Sequence, residues 1–245
     1  MKPKKIAILG SSHVYALMAG VDSTVQNIYT SKLLQDFSGM HNIVRDDDPP
    51  TLRDDVAEWI KNSLDADYLL LSISGSDWLA FCASNREPKI DIALPDHPEL
   101  AQIPNARLIP LAEMRQAMTH RIRHVLRGIT ALRQSVAPHI PIWYICSPPP
   151  VEDNELVRGT VTFAAEIARH GVTDPVLRLK MYLLHSMIVS DTCTANGLPF
   201  ILPPNETKSG QGYLALDRVG TDCFHANDQY GRYVIRDIER RLNQT

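Results

Sequence analysis

Two blocks at opposite ends of the chain carry the residue types of nucleophilic catalysis. Gly10-Ser11-Ser12-His13 follows the apolar run Ile6-Ala7-Ile8-Leu9, and Asp222 and His225 stand three residues apart just before a helical period. A serine hydroxyl is a weak nucleophile until a base takes its proton. An imidazole does this when a carboxylate holds its tautomer and stabilises its cation. In a turn, a three-residue spacing brings the carboxylate to the near ring nitrogen and leaves the far one for Ser12. Ser12 itself lies between a strand and a helix start, where free backbone N–H groups can receive a developing oxyanion. A third block, Gly75-Ser76-Asp77, ends the apolar run Tyr68 to Ile73. A serine, a small polar group and an Asp-x-x-His pair make the inventory of a serine hydrolase.

Each residue also has a plainer reading. Ser12 suits a helix N-cap, and Asp77 a helix or turn cap. His13 reads as a first-turn helix residue, Asp222 as a loop carboxylate, His225 as a helix-start or hydrogen-bonded core histidine, and Ser76 as a turn serine. What favours chemistry is the order of the blocks, each at the end of a strand or beside a helix start. His120 and His124 are four apart, as metal ligands on a helix would be. They sit among Arg115, Arg121, Arg123 and Arg127 without a carboxylate or thiolate partner, so a solvated basic face is the expectation. Cys223 reads as a packing residue, and Trp59, Trp78 and Trp143 as core aromatics. A dinucleotide fingerprint would need glycines at 12 and 15, where Ser12 and Tyr15 stand.

The elements that must position these groups alternate. Strands are expected at Ile6–Leu9, Tyr68–Ile73, Ile140–Cys146 and Leu198–Leu202, with a short one at Ile43-Val44. Helices are expected from His13 to Gly20, from about Thr51 to Ser63, from Asp174-Pro175 to Asn196-Gly197, and along Tyr230, Val234, Ile238 and Leu242. Apolar residues from Leu111 to Val136, three or four apart, describe one long amphipathic helix closed by Pro138. Residues 21–40 read as helical or irregular, and 78–104 as a long surface excursion. With the stretch 151–172, that excursion is expected to wall the cleft and set specificity. Strands separated by helices imply an α/β fold with a mostly parallel sheet covered on both faces, and ligands then bind beyond the carboxyl ends of the strands.

The composition frames this reading. The chain has 245 residues, 44% hydrophobic and 22% charged, with a net charge of −3. That suits one globular domain over 1–245 and argues against a non-specific nucleic-acid binder. The start is too short in apolar residues for a secretory signal, and no run reaches a membrane span. The four cysteines are scattered, so the expectation is a cytoplasmic protein with reduced thiols.

These blocks resemble the SGNH hydrolases, or GDSL esterase/lipase superfamily. Its Gly-Asp-Ser block appears as Gly10-Ser11-Ser12, its third block as Gly75-Ser76-Asp77-Trp78, and its last as Asp222 with His225. The continuation His225-Ala226-Asn227, then Tyr230-Gly231, is similar to the ending of a bacterial branch. The resemblance implies a flavodoxin-like α/β/α sandwich of about five strands. It implies a carboxylic ester hydrolase acting on an acyl group of a small alcohol or carbohydrate, with no metal or organic cofactor. Ser12 would be the nucleophile, His225 the base and Asp222 its partner. The oxyanion donors would be Ser12, Ser76 in place of the family's Asn, and Gly39 as the second-block glycine by order along the chain. Ser11 replaces the usual Asp or Asn. The Ser76 departure leaves one alternative, a catalytically weak or inactive SGNH-fold binding module for a glycan or polyol; the triad leaves another, an acyltransferase, because it serves hydrolysis and acyl transfer alike.

Overall fold

The computed structural model describes residues 2–39 and 42–244. Met40, the last residue of the stretch read as helical or irregular, lies outside them. Strand β1 (Lys5–Gly10) is followed by α1 (His13–Ala19) and β2 (Ile28–Leu33), then α2 (Asp54–Asn62) and β3 (Tyr68–Ser72). A two-residue pair, β4 (Ile90–Asp91) and β5 (Arg107–Leu108), interrupts the excursion before α3 (Leu111–Arg121) and α4 (Arg123–Ser135). Then come β6 (Ile142–Ile145), α5 (Asn154–Arg158), α6 (Ala164–His170), α7 (Pro175–Ala195), β7 (Phe200–Ile201) and α8 (Asp228–Leu242). The main sheet runs β2-β1-β3-β6-β7, every neighbouring pair parallel.

Side-chain alternation along the inner strands builds a core on each face. Ala7, Leu9, Leu69, Leu71 and Tyr144 face a core completed by Val56 of α2, Met118 of α3, Ile129 of α4 and Leu184 of α7. Ile6, Ile8, Leu70, Trp143 and Ile145 face the other, with Leu17 of α1 and Tyr230, Val234 and Ile238 of α8. The result is the expected three-layer α/β/α arrangement, its central strands apolar on both faces as buried parallel strands are.

Four expectations change. The second strand is Ile28–Leu33 rather than Ile43-Val44. As an edge strand, β2 is largely exposed and shows no apolar run. Val44 makes only an isolated antiparallel bridge with Leu52. The helix after Pro50 starts at Asp54 rather than about Thr51, with Arg53 at the N-cap position and no side-chain capping bond. The long helix of 111–136 divides at Ile122 (φ −98°, ψ 14°). Its apolar spacing runs through the break, with Met118, Ile122 and Val125 all buried, so nothing in the pattern marks it. The excursion is not confined to the surface: Ile92 and Leu94 are core residues. Asp91 holds it there. Its carboxylate accepts bonds from the Ile92 and Ile103 N–H groups and from the buried Lys180 ammonium of α7 at 2.8 Å. α7, by contrast, matches its expectation. The Asp174 carboxylate accepts from the Val176 N–H, Pro175 opens the helix, and Gly197 beyond its end has φ +67°.

Candidate active site

The amino end of α1 meets the loop before α8 because these two helices cross at a pair of glycines. A Cβ on Gly231 would lie 1.8 Å from the Ala16 carbonyl oxygen, and one on Gly20 2.2 Å from the Gly231 carbonyl carbon. No other residue allows that approach. Gly10 plays the same part at the end of β1, where a Cβ would stand 2.4 Å from the Ser72 carbonyl oxygen. The loop of 217–227 is stitched to itself. Val219 and Ala226 form an antiparallel bridge, and the Gly220 N–H donates to the His225 carbonyl at 2.7 Å. Asn227 caps α8 by accepting from the Tyr230 N–H, while its own amide donates to the Asp217 and Val219 carbonyls.

Within this frame, the hydroxyl of Ser12 lies 2.8 Å from His225 Nε2, and His225 Nδ1 lies 2.8 Å from Asp222 Oδ2. An ionised carboxylate only accepts, so Nδ1 carries the proton and Nε2 accepts from Ser12. Asp222 also accepts from the N–H groups of Phe224 (2.7 Å) and His225 (2.9 Å). Burial alone would raise its pKa. The bonds from the His225 ring and these N–H groups outweigh burial and lower it, so the anion is the resting form. All three residues are half-buried and open to a small substrate.

The other candidates are distributed differently. Ser76 precedes the 3₁₀ turn Asp77–Phe81, makes no capping bond with its side chain, and lines a small cavity with His13, Gly75, Trp78, Ser147 and Phe224. Gly39 is engaged elsewhere. Its carbonyl accepts from the Asn42 N–H, a Cβ on it would meet Arg53, and nothing among the described residues links it to Ser12. His13, read as an ordinary first-turn residue, is buried with its ring centroid 5.6 Å from that of His225. Burial, and then the neighbouring His225, push its pKa down to about 4. His185, in the middle of α7, contacts the Ser74 hydroxyl at 2.7 Å, and burial likewise pushes it down to about 4. Nothing in its helical surroundings distinguishes that histidine in the sequence. Cys223 is buried and its thiol pushed up to about 11, unsuited to act as a nucleophile. No group of three or more His, Cys, Asp or Glu among the described residues is arranged to hold a metal, His120 and His124 included.

No protein-family model matches the chain, and no curated protein is similar to it in sequence. Solved structures do match. The periplasmic domain of a lipopolysaccharide acetyltransferase from Salmonella ser. Paratyphi A superposes with a TM-score of 0.54 at 15% identity, over 98% of this chain and 84% of that one. A GDSL-like lipase from Bacteroides thetaiotaomicron gives 0.51 at 9% identity, over 100% and 92%. The chain has the SGNH fold. In that fold the Ser12 and His225 blocks occupy the carboxyl-end rim of the sheet, the side where open α/β sheets bind ligands. Beside it, the excursion and the 151–172 stretch enclose a cavity of about 680 Å³ lined by Asn85, Lys89, Asn105, Asn154, Phe163 and Asp174 among others. Phe163 meets Phe224 edge-on at 6.4 Å, linking that cavity to the loop of His225. Among the described residues, no helix is long and apolar enough to cross a membrane.

Proposed function

We propose that this chain is a serine esterase of the SGNH superfamily, cleaving a carboxylic ester of a small alcohol or carbohydrate. The carrying observation is the unbroken hydrogen-bond chain from the Ser12 hydroxyl through His225 to Asp222. Ser12 Oγ attacks the ester carbonyl carbon and its proton passes to His225 Nε2. The carbonyl π pair moves onto oxygen, and donors near Ser12 hold that oxyanion, the Ser12 N–H and Ser76 among them. As the C–O bond to the alcohol breaks, the imidazolium protonates the leaving oxygen. Water then attacks the acyl-serine with His225 again as base, which restores Ser12. Asp222 remains ionised throughout and stabilises the imidazolium. The mixed lining of the 680 Å³ cavity, with Asn85, Lys89, Asn105 and Asn154 set among apolar side chains, has room for the alcohol or the acyl group on that side.

Covalent labelling by a fluorophosphonate tests this reading. The wild type is expected to label at Ser12, Ser12→Ala is expected not to, and a folded wild type that stays unlabelled overturns it. The acetyltransferase neighbour favours a second outcome for the same acyl-enzyme, capture by an acceptor hydroxyl instead of water. Product analysis with added sugar acceptors separates the two.

A further inference from the structure

The reading above leaves the oxyanion side poorly supplied, because a serine stands where the family's donor amide is expected. The cavity that Ser76 lines has room for about 10 Å³, the size of a single oxygen-centred group. Its wall includes His13, the residue directly after the nucleophile. His13 Nε2 lies on the Gly75 side of the ring, 3.8 Å from where a Cβ of Gly75 would stand, beside the Ser11 hydroxyl at the same distance from that point. Gly75 therefore leaves open the space in front of this nitrogen. The other nitrogen, Nδ1, is fully buried and meets no hydrogen-bond partner. Ser147 contributes a buried hydroxyl without a partner to the same wall. Unpaired buried polar groups are rare, and the Ser147 hydroxyl in this wall points to a polar group that sits there during function.

We infer that His13 is the oxyanion donor that replaces the family's amide. The inference rests on the proposed esterase reading. A neutral ring carries one N–H. On the buried Nδ1 it would be an orphaned donor; on Nε2 it faces the cavity and leaves only a lone pair unmatched, the less costly arrangement. Burial keeps the ring uncharged, so it does not repel the imidazolium that forms on His225. When Ser12 Oγ bonds to the carbonyl carbon and the π pair moves onto oxygen, the Nε2–H donates a hydrogen bond to that oxygen without transferring its proton. Packing fixes the ring, whereas the Ser76 hydroxyl is free to rotate. A donor held in place beforehand is the kind that lowers a barrier.

The test compares His13→Leu and His13→Gln with the wild type, by fluorophosphonate labelling and by turnover of a short-chain p-nitrophenyl ester. Gln carries an N–H close to the position of Nε2, and Leu carries none. His13→Leu is expected to lower kcat about 10²–10³-fold with little change in KM, and His13→Gln to recover most of it. Full kcat in His13→Leu, or Gln no better than Leu when both fold, overturns the inference. Should His13→Leu not fold, ¹⁵N NMR of the wild type with an alkyl boronic acid bound at Ser12 decides. A large shift of the His13 Nε2–H signal supports the role, and an unmoved signal refutes it. Wild type that fails to label at Ser12 refutes the esterase reading instead, so the two failures are distinct.

Discussion

The two sides of the site are built to different standards. On the relay side, Asp222 accepts from the His225 ring and from two backbone N–H groups, and Asn227 ties its loop to α8. On the opposite side, His13, Ser76 and Ser147 line a small cavity, and the buried Ser147 hydroxyl has no protein partner. In the proposed mechanism the contrast follows from when each side works. A proton relay must hold its geometry before substrate arrives, because a mispositioned imidazole cannot take the first proton. Donors that act on an oxyanion meet their partner only during the reaction, so their hydrogen-bonding capacity stays unspent in the resting protein.

The largest expected effect lies on the relay side. In Asp222→Asn an amide replaces one carboxylate oxygen. It can donate where the native group only accepts, which favours the wrong His225 tautomer. A loss of about 10⁴-fold in kcat is expected, with the fold intact by circular dichroism. A loss smaller than that of His13→Leu would erase the distinction between the two sides. Gly231→Ala comes next. On an isolated helix this change is stabilising by about 1 kcal/mol. Here the new Cβ would lie 1.8 Å from the Ala16 carbonyl, so α1 and α8 must part. A destabilisation of about 3 kcal/mol is expected in urea unfolding, together with slower labelling as Ser12 draws away from His225. Labelling at the native rate would show that the helix crossing does not set the relay geometry.

How legible the molecule was depended on what its residues do locally. Apolar central strands and the Asp174-Pro175 to Gly197 helix stand out because burial on both faces and end-capping each impose a residue pattern. The edge strand β2 escaped because its exposed face needs no apolar run. Ser12, His225 and Asp222 were readable by order, and the structure brings them within hydrogen-bond distance. Gly39 was not recoverable by order alone: backbone packing fixes where a glycine is needed, and the glycines that matter here are Gly10, Gly20 and Gly231. His13 and His185 owe their character to burial, which adjacent residues do not encode.

The two buried histidines, His13 and His185, make the protein acid-sensitive. Their pKa is held near 4 against an ordinary 6.5, so the folded protein resists their protonation. Above pH 6.5 both states bind them neutral and the full stability is present. Between 6.5 and about 4 the unfolded chain takes up protons that the native one refuses, so stability falls with pH and levels off below 4. That lowering corresponds to about 3 kcal/mol per group at most. Urea midpoints at pH 7 and pH 4.5 measure the fall, and His185→Gln, which keeps a partner for the Ser74 hydroxyl, is expected to reduce it. An unchanged pH dependence in that variant would place the acid sensitivity elsewhere.

The smallest expected effect separates the two proposed oxyanion donors, which line the same cavity. Ser76 has a short side chain, no bond that orients it, and a hydroxyl that can turn toward solvent. Its contribution to the oxyanion is therefore diluted by the conformers that miss it. Ser76→Ala is expected to lower kcat less than about tenfold, well below the 10²–10³ typical of a fixed oxyanion donor, with KM and unfolding midpoint unchanged. If His13 is the fixed donor, combining the two substitutions multiplies their separate losses only when both bond the same oxygen independently. If removing Ser76 costs nothing once His13 is leucine, the serine acts by holding the imidazole in place. That pattern of coupling reads the division of labour inside the cavity more directly than either single variant.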